Sequence, residues 1–159
     1  MAKGDKKEIA IATIMTDLPQ DLQHLKRFHG HLGPYVVVGY RMGALARRTL
    51  EGRLKAVSYT GTKPPISCII DGVQFSSCCT LGKGNILVND AGDARVQFLD
   101  EKRIMEINLL PQVKAIIDQG MGREDEEEVA LRLFHEEDEK LFNFLTIERT
   151  PLDTRVKLK

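Results

Sequence analysis

Along the first third of the chain the apolar positions recur at helical spacing. Leu22, Leu25 and Phe28 share one face of a segment from Asp21 to Phe28, and Asp17 or Pro19 ahead of it supplies a start signal. That helix is expected to stop near Gly30. Pro34 suits a first helical position, where its absent N–H leaves nothing unpaired, so a second helix runs to about Leu50. Its β-branched opening, Val36 to Val38, forms helix poorly and needs burial to hold it. Gly39 and Gly43, with Ala46, leave a smooth stripe on that helix. The stripe predicts close packing on another helix, with a contact between two copies of the chain as the alternative.

Alternation then takes over. Lys55 to Thr60 reads as a short strand and Gly61 to Pro65 as a loop. Ser67 is placed to cap a short helix from Cys68 to about Phe75, although Gly72 weakens it. Ser76 to Gly84 is a polar loop. Ile86 and Val88, then Val96 and Phe98, flank Asn89 to Asp93, which predicts a hairpin. Arg103 to Leu109 alternates as a third strand. Pro111 to Gln119 reads as a helix closed by Gly120. Arg123 to Leu145 reads as the longest helix, acidic at its start, with Leu131, Phe134, Leu141, Phe142 and Leu145 as its buried face. Residues 1–8 are expected to be a polar tail, and 150–159, within the stretch from Ile147, an edge strand or tail. The order is helices, antiparallel strands, helices. It predicts one α+β domain over 1–159, an antiparallel sheet packed with helices, with helices at both ends of the chain.

Composition narrows the function classes. The chain has 159 residues with 23 Lys+Arg against 23 Asp+Glu, a formal net charge of zero. Bulk charge therefore gives no argument for a nucleic-acid or membrane partner, and near-neutrality favours self-association. The best apolar run, Tyr35 to Tyr40, is too short to span a bilayer. The N-terminal segment has no apolar stretch of a secretory signal. Three cysteines, two of them adjacent, make a poor disulfide framework, so a cytoplasmic protein is expected.

Three clusters could carry chemistry. His29-Gly30-His31 places two imidazoles two residues apart, which on a continuing helix diverge by about 200°. They converge only if the backbone leaves the helix at Gly30, and glycine permits that. Otherwise one caps the following helix and the other is a surface residue. Cys68, at a helix start, is placed for a stabilised thiolate with Asp71 one turn on, or is a small buried hydrophobe. Cys78 to Asn85 holds Gly82, Lys83 and Gly84. That sequence makes either a tight turn or an anion-holding nest of N–H groups. It is not a P-loop, since Lys83 lies between the glycines. Imidazole with thiolate is a zinc-type ligand set.

These residues also carry a resemblance. Phe28-His29-Gly30-His31-Leu32-Gly33-Pro34 with Gly39-Tyr40-Arg41, then Cys68 to Gln74, then Cys79 to Asn85, resemble in order the motifs of the FmdE family, the E-type subunits of formylmethanofuran dehydrogenase. The resemblance spans roughly Leu22 to Leu109. It implies an α+β core, often a homodimer, with metal binding among its members. Carried over, it implies a metal site at His31, Cys68 and Cys79, with His29 assisting. Asp71, Gln74 and Lys83, with Gly82 and Gly84, would lie behind the ligands or toward a substrate. Gly33 stands where many relatives have cysteine, and Cys78 where glycine is common. The chain carries no Cys-x-x-Cys of the zinc ribbon that some relatives add, so it resembles a core-only member. No pterin or iron–sulfur pattern is present.

Three readings follow. One is a metal-binding accessory protein, its ion a divalent metal and zinc first, linked to C1 metabolism or a molybdoenzyme partner. Another is a small zinc-dependent enzyme acting on an anionic small molecule. The third is a structural or regulatory homodimer without metal.

Overall fold

The computed structural model describes residues 18–123 and 125–150. The tail expected at 1–8 and all but one residue of the segment at 150–159 lie outside them. The chain divides into two compact units, 1–31 and 32–159.

The first unit is described through helix α1, Gln20–His29, with Leu22 and Leu25 buried. Gln23 Nε2 donates to Leu18 O at 2.6 Å and steadies the entry. Gly30 closes the helix in the left-handed region, φ 99°, and its N–H donates to Lys26 O at 2.8 Å. The helix thus starts and stops where the pattern predicts.

The second unit opens with α2, Pro34–Thr49, its Pro34 at the first position. Val36, Val37 and Val38 are fully buried, which supplies the stabilisation their propensity lacks. Next come β1, Lys55–Ser58, and α3, Cys68–Ser77. The latter runs two residues beyond the expected end, and Ser67 precedes it without a side-chain cap. Helices α2 and α3 meet backbone to backbone. A Cβ built on Gly39 would stand 2.0 Å from Ile69 O, and one on Gly72 would stand 2.0 Å from Val36 O. The smooth stripe therefore packs on a helix of the same chain, and Gly72 is the reciprocal seat.

The remaining strands are β2, Ile86–Val88, β3, Arg95–Leu99, β4, Arg103–Leu109, and β5, Phe142–Glu148. Between β4 and β5 lie α4, Pro111–Gly120, α5, Glu126–His135, and the short α6, Asp138–Leu141. One five-stranded sheet runs in the order β2-β1-β3-β4-β5. Its β1–β2 pair is parallel and the other three pairs are antiparallel. The fold is α+β with a mostly antiparallel sheet, and helices precede and follow most of the strands.

Two local expectations are corrected. Segments 86–88 and 95–99 do not form a hairpin, because β1 lies between them, pairing Ala56 with Ile86 on one side and with Phe98 on the other. Three of the four β1 residues are buried, against one of three in β2, so β1 takes the inner place and β2 the edge. The turn-like segment crosses the end of β1, where Asn89 N donates to Ser58 O at 2.8 Å and Asp93 N to Tyr59 O at 2.9 Å. The long helix expected over 123–145 is also broken. Arg41 on α2 donates to the carbonyls of Leu133 (2.7 Å), Phe134 (2.6 Å) and Glu136 (2.7 Å), and to Asp138 Oδ1 at 2.9 Å. Those carbonyls are the unpaired ones of a helix end, so the guanidinium fixes α5 to stop there. The following residues then pair with β4, Leu109 opposite Phe142 through Arg103 opposite Glu148. The buried residues of α5 are Val129, Ala130 and Leu133; Leu131 and Phe134 are half-buried, and Leu145 is exposed on the strand.

Candidate functional site

The imidazole pair belongs to the first unit. The left-handed backbone at Gly30 turns the chain out of the helix between His29 and His31, and the two rings stand with centroids 4.7 Å apart and planes at 41°. A side chain at that φ is disfavoured by about 1 kcal/mol or more, which is why the position calls for glycine. Two rings this close can each offer one nitrogen to a common partner.

The thiols belong to the second unit. Cys68 opens α3 and is half-buried. Burial pushes its thiol up, and the Asp71 carboxylate pushes it further in the same direction, against a backbone hydrogen bond that pulls it down. Of the two readings of Cys68 the neutral, buried group is favoured over the stabilised thiolate, since desolvation and a neighbouring negative charge both favour the neutral thiol. Cys79 is fully buried. Burial raises its thiol, only partly offset by the Ser77 hydrogen bond and the charges of Lys83 and Arg47. Cys78 between them is exposed and sits in the left-handed region, φ 62°, closing α3. A glycine would be unstrained there.

Cys68 and Cys79 therefore stand at opposite ends of α3, whose ten residues rise about 15 Å. Among the described residues no three His, Cys, Asp or Glu side chains gather as a metal group. The structure brings the two imidazoles together and gives the two thiols separate surroundings.

The glycine-containing loop is a tight turn. Lys83 N donates to Thr80 O at 3.2 Å and Gly84 N to Leu81 O at 3.0 Å. Leu81 N donates to Gln74 Oε1 at 2.9 Å, and Gln74 Nε2 reaches Asp71 Oδ1 at 3.5 Å. These N–H groups have partners within the fold, so the turn reading describes them and the nest reading does not. Gly84 takes φ 65°, while a Cβ on Gly82 would meet nothing within 4 Å. Asn85, the last residue of the third motif but not among the expected site residues, is the knot of the loop. Its Oδ1 accepts from Thr80 N at 2.8 Å and its Nδ2 donates to Leu54 O at 3.2 Å.

That knot forms one wall of a cleft of about 540 Å³. Arg47 at the end of α2, Arg53 and Lys55 at the start of β1, and Lys83 on the turn line it, with Cys78 at its edge. Of these cations only Lys83 was singled out as a site residue. The available signal was the density of basic residues from Arg47 to Lys55 around Gly52, whose φ of 67° reverses the chain.

The fold and these groups define a class: a small α+β domain with a histidine pair on one unit and a basic cleft on the other. A family model described as "FmdE, Molybdenum formylmethanofuran dehydrogenase operon" matches residues 28–152, and the chain belongs to that family. A protein of Archaeoglobus fulgidus named "Probable S-adenosyl-L-methionine-binding protein" is 33% identical over 96 residues, which cover 57% of this chain and 26% of that protein. The chain thus spans about a quarter of that relative. The solved structure of an FmdE-like protein of the tungsten formylmethanofuran dehydrogenase type, from Syntrophus aciditrophicus, superposes with a TM-score of 0.60 at 23% identity. It covers 82% of this chain and 71% of its own, and at that identity the likeness concerns the fold.

Proposed function

We propose that this chain is a metal-binding accessory protein linked to C1 or molybdoenzyme systems, holding a divalent ion, zinc first, at His29 and His31. The observation that supports it is the pair of rings 4.7 Å apart. Neutral imidazole is a good zinc ligand, and two such ligands leave coordination positions for further groups. Zinc bound there would act as a Lewis acid. This chain's contribution is to fix the two rings through the turn at Gly30.

Zinc titration by calorimetry on chelator-treated protein tests the reading. Stoichiometric binding is expected, abolished in a His29→Ala/His31→Ala variant whose melting temperature is unchanged. Unaltered zinc binding in that variant would reject the imidazole assignment. Cys68→Ser and Cys79→Ser variants report whether a thiolate belongs to the set. The archaeal relative's name adds S-adenosyl-L-methionine as a ligand to try in the same format.

A second reading, a homodimer, has its own support. Strand β5 is an edge of the sheet, and it presents Leu145 (66% exposed) and Ile147 (45% exposed). An apolar edge strand invites pairing with another chain unless something covers it.

A further inference from the structure

The cleft beside the Asn85 knot gathers four cationic side chains and no carboxylate. Arg47, Arg53, Lys55 and Lys83 reach it from three separate segments: the last turn of α2, the start of β1 and the turn over 81–84. Among the described residues none of the four is ion-paired, and the one hydrogen bond from their side chains is Arg47 Nη1 to Gly52 O at 2.9 Å. The chain as a whole is neutral, so this concentration of one sign is local. Like charges converging on one concavity repel each other and focus a positive potential into it.

Three features narrow the ligand. The volume, about 540 Å³, suits a small molecule rather than a single monatomic ion. Two guanidinium groups offer planar forks that match phosphoryl oxygens two at a time, and two ammonium groups add point charges. A diphosphate carries about three negative charges near neutral pH on two compact phosphoryl groups and offsets most of the four cations, whereas a dicarboxylate would leave about half of them uncompensated. The floor is firm as well. Leu54 is buried, and its carbonyl accepts from Asn85 Nδ2, so the walls carrying Lys83 and Lys55 are tied together before any ligand arrives.

We propose that this cleft is a binding site for a small molecule bearing a diphosphate group, either free pyrophosphate or the diphosphate end of a nucleotide. Arg53 and Lys83, from separate segments lining the cleft, hold the two phosphoryl groups, with Arg47 and Lys55 completing the charge. Neither histidine of the 29–31 pair takes part.

Calorimetry at low ionic strength with pyrophosphate, ADP, orthophosphate and citrate tests it. Pyrophosphate and ADP are expected to bind at least about tenfold more tightly than orthophosphate or citrate, since each added bidentate charge-assisted contact contributes about 1.4 kcal/mol or more. An Arg53→Gln/Lys83→Gln variant is expected to lose at least about tenfold in pyrophosphate affinity. Both residues are exposed, and melting curves should show the fold kept. A Lys63→Gln variant, outside the cleft, is expected to bind as the unaltered protein does. Equal affinity for citrate, equal loss in Lys63→Gln, or no loss in the double variant would each overturn the proposal. ADP binding without pyrophosphate binding would overturn it too, since the base and not the diphosphate would then be recognised.

Discussion

Asp100 lies at the end of β3, 6% exposed, and its carboxylate accepts from the backbone N–H groups of Glu51 (3.0 Å), Lys102 (2.8 Å) and Arg103 (2.6 Å). The Arg103 guanidinium adds contacts at 3.2 and 3.0 Å. Burial alone would raise this group, but those hydrogen bonds outweigh it and hold the carboxyl below the usual aspartate value. The unfolded chain therefore binds more protons over the interval between the two values. The stability this group contributes is fully present above pH about 4 and is lost as pH falls through the folded value. Asp100→Asn should destabilise at neutral pH by about 1–3 kcal/mol and flatten the acid limb of stability against pH. Urea unfolding from pH 7 down to pH 2 checks this, and an acid limb unchanged by the substitution would sink it. No local pattern in the sequence marks Asp100, because its donors come from position 51 as well as from its neighbours. Residue-scale reading did find Gly30, whose left-handed turn needs nothing beyond the local chain. It left Cys68 open between a stabilised thiolate and a small buried group, and burial together with Asp71 favours the neutral thiol.

At the scale of elements, the contact between α2 and α3 is decided by glycines. A methyl group at Gly39 would press on the backbone of Ile69, and one at Gly72 would meet Val36 O at 2.0 Å and Tyr40 N at 2.4 Å. Neither helix can yield without separating from the other. Gly39→Ala and Gly72→Ala are each expected to cost about 3 kcal/mol or more in chemical denaturation, at the upper end of overpacking penalties. Gly82→Ala, with open space around the site, should stay within about 1 kcal/mol of the parent. Similar costs at all three positions would contradict the packing account. The stripe of Gly39 and Gly43 was legible because it recurs at helical spacing on one segment. The role of Gly72 was not, since a lone helical glycine carries no mark of the partner that needs it. The break of the expected helix over 123–145 was hidden for a related reason. Leu141 to Leu145 satisfies helical spacing in isolation, and only Arg41, about ninety positions earlier, ends α5 while β4 offers its free edge to Phe142–Glu148.

For the molecule as a whole, the sheet leaves β2 and β5 as its edges. Edge β5 carries exposed Leu145 and Ile147 beside Ile104 of β4, and the chain has no net charge to keep copies apart. Sedimentation velocity should find a dimer at micromolar concentration. Leu145→Glu/Ile147→Glu should shift it to monomer with little change in melting temperature, because both side chains face solvent in the single chain. A monomer in the parent protein, or a dimer indifferent to these substitutions, would remove the homodimer reading. Among the described residues no helix is long and apolar enough to cross a membrane.

The sequence by itself determined what depends on neighbours a few positions apart: the helix ends at Gly30 and Pro34, the alternation of β4, the order of helices and strands, and the motifs that place the chain in its family. The tertiary structure alone decided what depends on distant segments competing for the same partners. Strand β1 displaced the hairpin because its buried residues fill the sheet interior better than those of β2. Four cations scattered between positions 47 and 83 became one cleft because Asn85 ties its turn to the start of β1. Periodicity records which face of a segment is apolar, whereas pairing and convergence are set by what the rest of the chain brings to that face.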